Sequence, residues 1–265
     1  MRRWWALCRA SAFLRAFAAF HLALSIAWLG WPAQWKLWLM LLLAAHLLVT
    51  VLVLQPRNRW FGANLTRLPA AAVARNEVAL SFDDGPDPAV TPLVLDLLDR
   101  HGVKASFFVV GEKIIRHAEL GRLIVARGHR LENHSQRHHA LFSLFGARGI
   151  EHEILAVQAA VSVLPAPAPH YFRPPAGFHS PLLAPLLDGL GLRLATWTRR
   201  GFDTRDGNPR RVLRRLVRNL AAGDILLLHD GNSAFDAAGT PVVLGVLPLL
   251  LDELQRRGLR AVALP

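Results

Sequence analysis

The chain has 265 residues, a formal charge of +12 and 52% hydrophobic content, with a single cysteine, Cys8. That length holds one sizeable catalytic domain plus a smaller appendage, and one thiol excludes an internal disulfide while saying little about compartment. The charge invites a nucleic-acid reading, but no zinc-finger, helix-turn-helix or RNA-binding signature accompanies it. Arginine beside an anionic lipid surface is the simpler source.

The first elements are apolar. Residues 16–31 are interrupted only by His21 and Ser25, and residues 37–54 only by His46 and Thr50. As a helix the second run measures roughly 27 Å, close to the hydrocarbon thickness of a bilayer. The first run reaches a similar length when extended back into residues 11–15. Trp28, Trp31, Trp35 and Trp38 gather at the junction, where an interfacial aromatic belt would sit. A transmembrane hairpin over 12–31 and 37–54 is expected, in preference to one span, a cleaved signal peptide or two buried core helices. Arg2, Arg3, Arg9 and Arg15 precede the hairpin, Arg57, Arg59 and Arg67 follow it, and only Lys36 lies between. If both helices span, the positive-inside tendency puts the following domain on the cytoplasmic side of a bacterial-type inner membrane. If only one spans, the domain faces outward. The division expected is a membrane anchor at 1–56, a linker at 57–75 and a catalytic domain at 76–265.

Beyond residue 75 short β-rich runs alternate with amphipathic helical stretches. Strands are expected at 77–82, 105–110, 129–132, 170–172, 193–198, 224–229 and 259–264, with helices near 89–101, 112–127, 147–163, 181–189, 209–222 and 242–257. Such alternation means a largely parallel sheet with crossover helices. The fold class expected is α/β, a distorted or incomplete (β/α) barrel of seven to eight strands preceded by one or two transmembrane helices. In barrels of this kind chemistry gathers where strands end. Asp83, Asp84, His134, Arg173, Asp203 and His229 all fall at or just after the expected strand ends.

Ser81-Phe82-Asp83-Asp84-Gly85-Pro86 closes an apolar run with two adjacent carboxylates and a Gly-Pro turn. Neighbouring side chains of a strand point to opposite sides, but where the strand breaks into a turn both can reach one cavity. One acid can then hold a metal while the other handles a proton. The alternative is an ordinary turn with solvated acids. His134-Ser135-Gln136-Arg137-His138 sets two imidazoles four residues apart, a spacing that brings both to one face of a helical turn. With Asp84 they make a two-histidine, one-carboxylate set that leaves open positions for water and substrate. His139, adjacent to His138, competes for the second place. Arg173, stiffened by Pro174 and Pro175, can fix a carboxylate through a bidentate bond, and Asp203 can pair with Arg173. His229 ends the apolar run 225–228. A satisfied core histidine is the ordinary reading there, and a general acid the reading once the other strand ends hold metal-type ligands.

Taken in order, these segments resemble the polysaccharide deacetylase (NodB-homology) family, carbohydrate esterase family 4, from Glu77 onward. The family's T-F-D-D-G-P appears as Ser81–Pro86, its H-S/T-x-x-H as His134–His138, its R-P-P-aromatic-G as Arg173-Pro174-Pro175-Ala176-Gly177, and its L-x-L-H as Leu226–His229. The resemblance implies that Asp83 is the general base, that Asp84, His134 and His138 hold a divalent metal, and that Arg173 orients Asp83 with support from Asp203. It implies His229 as general acid. It also implies substrate contacts at the Ala176 backbone, as an oxyanion donor, and at Pro175 and Leu228. The family's usual metal is zinc, sometimes cobalt or nickel.

Two departures bear on substrate. Ala176 replaces the aromatic of the third motif, and the fourth motif, D-x-x-D-W in many members, is matched to Arg200-Gly201-Phe202-Asp203-Thr204, with its first acid and its tryptophan lost. Both weaken a chitin-like substrate. A domain beside a membrane hairpin suits a membrane-held N-acyl amino sugar, on a polyprenyl phosphate or another glycolipid carrier, better than a long polymer. The helix bearing Arg210, Arg211, Arg214, Arg215 and Arg218 would meet anionic headgroups or simply present a solvated face. The expected partners are glycan or glycolipid and membrane lipid, not nucleic acid. The expected activity is metal-dependent removal of acetyl or formyl from an amino-sugar nitrogen, against O-deacetylation or a glycan-binding pseudoenzyme.

Overall fold

The computed structural model describes residues 11–265. Cys8 and the orienting residues Arg2, Arg3 and Arg9 lie outside the described residues. The first helices, α1 (Ala12–Gly30) and α2 (Trp35–Val53), are joined by a 3-10 turn at Pro32–Gln34. They run antiparallel: Phe17 and His21 of α1 lie against His46 of α2, with ring centroids 5.7 and 5.3 Å apart. Helices α1 and α2 are long and apolar enough to cross a membrane, and of their residues only Leu24 is buried inside the protein. A core helix would be covered; these are not.

Residues 57–75, which the sequence sets apart as a linker, lie against the sheet. Phe61 is fully buried, edge-on to Phe13 at 4.8 Å and to His179 at 5.9 Å. Asn64 donates to the carbonyls of Pro56 and Asn58, and Leu65 and Arg67 form isolated bridges with Ala195 and Asp224. A short helix, α3 (Ala70–Ala74), leads into the sheet.

The strands are β1 (Glu77–Asp83), β2 (Ser106–Val109), β3 (Arg130–Asn133), β4 (Tyr171–Phe172), β5 (Arg193–Leu194), β6 (Arg199–Arg200), β7 (Ile225–His229) and β8 (Arg260–Val262). They are ordered β5-β4-β3-β2-β1-β7-β6, with β8 beside the first half of β1, and every strand pair is parallel. The sheet curls into a half-barrel, the expected fold class. Its crossovers are α4 (Thr91–Arg100), α5 (Gly111–Arg116), α6 (Ala118–Ala126), α7 (Ala147–Ser162), α8 (Leu183–Gly189), α9 (Pro209–Val217) and α10 (Val242–Arg256). The single strand expected at 193–198 is two short ones on opposite edges. Between them residues 195–198 cross the barrel, where Ala195, Thr196 and Thr198 donate to the carbonyls of Phe172, Leu65 and Ile225.

All seven residues of β1 are buried, as expected of a central parallel strand covered on both faces. Val78, Leu80 and Phe82 pack outward with Val94, Leu98, Val246 and Leu250 of the helices. Ala79 packs inward with Phe108, Trp197, Ile225 and Leu227. The period of two therefore carries Ser81 and Asp83 into the barrel as well. The same parity in β7 sends Ile225, Leu227 and His229 inward and Leu226 and Leu228 outward.

If 57–75 were a slack tether, truncating its buried aromatic would be silent. Phe61→Ala is expected instead to cost about 3–5 kcal/mol, read as a lowered midpoint of denaturant unfolding.

Candidate active site

Because the strands are parallel, their carboxyl ends share one rim. Asp83 ends β1 and His229 ends β7, directly opposite each other in the ladder. His134 and Arg173 follow the last residues of β3 and β4. Around this rim is an open cavity of about 320 Å3, whose wall includes Asp83, Asp84, His134, His138, Ala176 and His229. A larger hollow of about 580 Å3 lies where β4 and β5 begin and holds none of these groups.

Arg173 is completely buried and organises the inner side. Its Nη1 donates to Asp83 Oδ1 at 2.5 Å and to Ser81 Oγ at 3.1 Å, while Nε and Nη2 reach the carbonyls of Ala195 and Thr196. The guanidinium stacks on Phe108, 3.8 Å from the ring centroid. Burial presses its pKa below the ordinary value, and Asp83 opposes that. The bidentate grip expected of Arg173 is absent: one nitrogen serves the acid and the rest serve backbone carbonyls, since the fork lies across residues 195–196. Asp83 Oδ2 is left facing the cavity side, 3.8 Å from His134 Nε2.

Asp84, His134 and His138 converge, their ligand atoms all within 4.8 Å of one another. Asp84 Oδ1 is 3.1 Å from His134 Nε2 and 3.0 Å from His138 Nε2. The imidazoles do not share a helical turn. The segment is irregular, with Ser135 and His138 at positive φ, and Asp84 is left-handed too. Such backbone costs on the order of 1–3 kcal/mol per residue and persists where surrounding structure enforces it. His139 points away, beside Phe145 with ring centroids 5.1 Å apart and accepting from the Leu141 amide.

The protonation pattern tests whether these residues fit a metal. His134 Nδ1 lies 2.7 Å from the Arg173 carbonyl, which can only accept, so Nδ1 carries a hydrogen. In the neutral ring Nε2 is then a lone pair aimed at a carboxylate oxygen. Such a contact needs either a second proton or a cation between the two, and a histidine oriented from behind by a carbonyl is the usual arrangement at metal sites. Burial raises the Asp84 pKa, and contacts to His134 and then His138 overcome this, leaving it well below the usual carboxylate range. Asp84 Oδ2 also accepts from Asn232, and its carbonyl accepts from Lys113 Nζ. The donor set fits a divalent cation.

At the end of β7, His229 Nδ1 is 2.9 Å from Asp203 Oδ1, and its backbone amide donates to Asp203 Oδ2. A carboxylate accepts only, so Nδ1 is protonated and Nε2 is the ring's other proton-bearing position. Asp203 therefore supports His229, not Arg173 as the sequence reading had it, because both its oxygens are taken by one residue. Burial pushes the His229 pKa down, and Asp203 outweighs this so that it is raised.

Two further corrections concern substrate contacts. Leu228 is fully buried in the outer core, so it cannot touch substrate; Leu227 lines the cavity. Pro175 is buried, and the wall there is Ala176 and Gly177. Ala176 sits at φ 56, ψ 3, a left-handed residue in the loop after β4. Sequence reasoning missed Arg200, Thr204, Arg205 and Asn232 as lining residues. Arg200 and Thr204 stood in the segment matched to the fourth motif, and Asn232 in the Asp-Gly-Asn turn that ends the β7 run; Arg205 carried no signal.

Residues 70–195 match the family model described as polysaccharide deacetylase. A chitooligosaccharide deacetylase of Bradyrhizobium sp. is 33% identical over 212 residues, covering 75% of this chain and 97% of that protein. The chain belongs to the polysaccharide deacetylase family. A peptidoglycan-N-acetylglucosamine deacetylase of Bacillus cereus is 33% identical over 195 residues, covering 72% of this chain and 88% of that one. Among solved structures, the Bc1960 peptidoglycan N-acetylglucosamine deacetylase superposes with a TM-score of 0.69 at 26% identity, covering 77% and 91% of the two chains. A pseudoenzyme of the same family, CE4, from Bacillus anthracis shares the fold, with a TM-score of 0.68 at 20% identity over 76% and 67%.

Within this deacetylase family the fourth motif must be re-registered. Asp203 is the acid that reaches the site, and Asp206 follows at the D-x-x-D spacing, paired with Arg211 and Arg215. Both acids are present. Only the tryptophan is replaced, by Gly207.

The Asp203 contact has a measurable consequence. A histidine whose folded pKa is raised draws stability from its partner fully below about pH 6.5, and loses it as pH rises through the folded value. Asp203→Asn is expected to lower the His229 pKa and erase that part of the pH–stability curve, with the imidazole followed by NMR titration. An unchanged His229 titration would contradict the pairing.

Proposed function

We propose that the protein is a membrane-anchored, metal-dependent hydrolase that removes an N-acyl group, acetyl or formyl, from an amino sugar of a polysaccharide or lipid-linked glycan. One observation carries this reading: two oriented proton-transfer groups, Asp83 on Arg173 and His229 on Asp203, line the same cavity as the convergent Asp84, His134 and His138. A purely structural cluster has no need of an oriented acid and base sharing one cavity with three convergent ligand atoms.

Asp84, His134 and His138 would hold a divalent ion, with zinc the expected one. Bound there, it would acidify a water and polarise the acyl carbonyl. Asp83, tied at Oδ1 by Arg173, has Oδ2 to accept the proton of the attacking water. The buried guanidinium keeps that carboxylate aimed. As the C–N bond breaks, His229 donates its Nε2 proton to the departing amine, and Asp203 stabilises the imidazolium until then. The backbone at Ala176, held left-handed in the cavity wall, is placed to donate to the developing oxyanion.

The anchor reading rests on α1 and α2, and it bears on substrate. Pro56 follows closely on α2, and a methyl group added at Gly177 would come within 2.8 Å of Pro56 and 2.5 Å of the Trp197 ring. The chain just beyond the hairpin thus reaches the rim of the cavity. A glycan held at the membrane surface would need no long excursion to the site. Arg15, Arg57, Arg59 and Arg67 against Lys36 support a cytoplasmic-facing domain for two spans.

Activity is tested by amine release from chitooligosaccharides, peptidoglycan fragments and lipid-linked N-acyl amino sugars, with and without chelator, alongside O-acetyl esters. Asp83→Asn is expected to lower turnover by about two to four orders of magnitude with bound metal retained, whereas His134→Ala should lose the metal itself. Full turnover in Asp83→Asn would remove it as the base. Protease accessibility of the domain in spheroplasts and in inverted vesicles reads its facing; digestion in intact spheroplasts would contradict the cytoplasmic assignment.

A further inference from the structure

Most arginines near the cavity have a partner. Arg173 meets Asp83, Arg199 meets Asp224, and Arg211 and Arg215 meet Asp206. Arg200 does not. It ends β6, is half-buried and lines the same cavity as Asp84, His134 and His138. Its Nε is buried without a hydrogen-bond partner. Among the described residues it makes no ion pair. What holds it is aromatic: its guanidinium carbon lies 5.3 Å from the Trp197 ring centroid and 5.2 Å from that of Phe202. Ring faces fix the plane of a guanidinium and leave its edge, with its donors, unspent.

Arg205 also lines this cavity, exposed and without a side-chain partner among the described residues. The cavity's two carboxylates are already committed, Asp83 to Arg173 and Asp84 to the histidines. Nothing in the wall is left to neutralise Arg200 and Arg205. A half-buried cation without a counter-charge is costly unless a ligand in the cavity supplies one. A planar fork is, moreover, the side chain that matches phosphate or carboxylate oxygens.

We propose that Arg200, with Arg205 beside it, forms an anion subsite in the active-site cavity, so that the preferred substrate is an amino sugar bearing a phosphate or carboxylate near its N-acyl group. This deepens the deacylase reading and rests on it for the location of the reacting amide. A sugar phosphate of the kind that joins a glycan to a lipid carrier, and a sugar carboxylate within a glycan, offer the same chemistry. Neutral chitooligosaccharides would leave the subsite empty.

The test is calorimetric binding to the full-length, metal-loaded protein in detergent. The probes are N-acetylglucosamine, N-acetylglucosamine 1-phosphate and N-acetylmuramic acid. At least one anionic sugar should bind about tenfold or more tightly than the neutral one, the scale of a charge-assisted pair. Which of the two does so identifies the anion as phosphate or carboxylate. Arg200→Gln should bring the preference to within about twofold, and Arg205→Gln, which leaves the ring stack intact, should reduce it several-fold. Equal affinities in the wild type would overturn the proposal. So would a preference that survives both substitutions, since the metal alone would then be its source. Because binding is read without turnover, a protein that prefers the anionic sugars yet releases no amine from any substrate would sink the hydrolase reading and leave the subsite standing.

Discussion

A guanidinium sealed from water is the constraint on which the rest of the site depends. Arg173 is fully buried, and its donors are answered by Asp83, Ser81 and the carbonyls of Ala195 and Thr196. Leaving such a charge unpaired costs on the order of 3–5 kcal/mol, so each partner is held in place by the others. The consequences spread outward through the backbone. The Arg173 carbonyl holds His134 by Nδ1, which sets the ring that faces Asp84. One residue thereby couples the candidate base to the candidate metal ligands.

The left-handed residues tell the same story from the backbone. Asp84, Ser135, His138, Ala176, Phe202 and Asn232 are non-glycine residues at positive φ, and each lies in or beside the cavity wall. No single one would mean much. Together they show that the loops at this rim are held in conformations their own sequences disfavour, by packing and by bonds such as Lys113 to the Asp84 carbonyl. Pre-organisation of this sort lowers the reorganisation needed when charge develops. The opposite end of the sheet has a larger hollow but no such grouping.

The hairpin is joined to the site, not merely tethered beside it. Phe61, Asn64 and Leu65 bind the stretch after α2 to the barrel, and Pro56 abuts the loop that carries Ala176 and Gly177. The hairpin and the cavity wall are therefore coupled through a few residues. In the same wall, Arg200 and Arg205 set the charge a substrate would meet, in a quarter of the molecule where neighbouring arginines are satisfied internally.

Much of this protein was legible in order along the chain. Two apolar runs, the alternation of strand and helix, the paired acids at the end of an apolar run and the two histidines four apart are local patterns, and local patterns survive without a fold. The parallel half-barrel and the convergence at strand ends follow from them. What the chain could not say is which partner each side chain takes. Asp203 went to His229 rather than Arg173, Leu228 went to the outer core, and the histidine pair met through an irregular turn. Those outcomes depend on strand parity, on register between β1 and β7, and on which oxygens remain after burial has claimed its bonds. They are long-range quantities, and only the tertiary structure decides them.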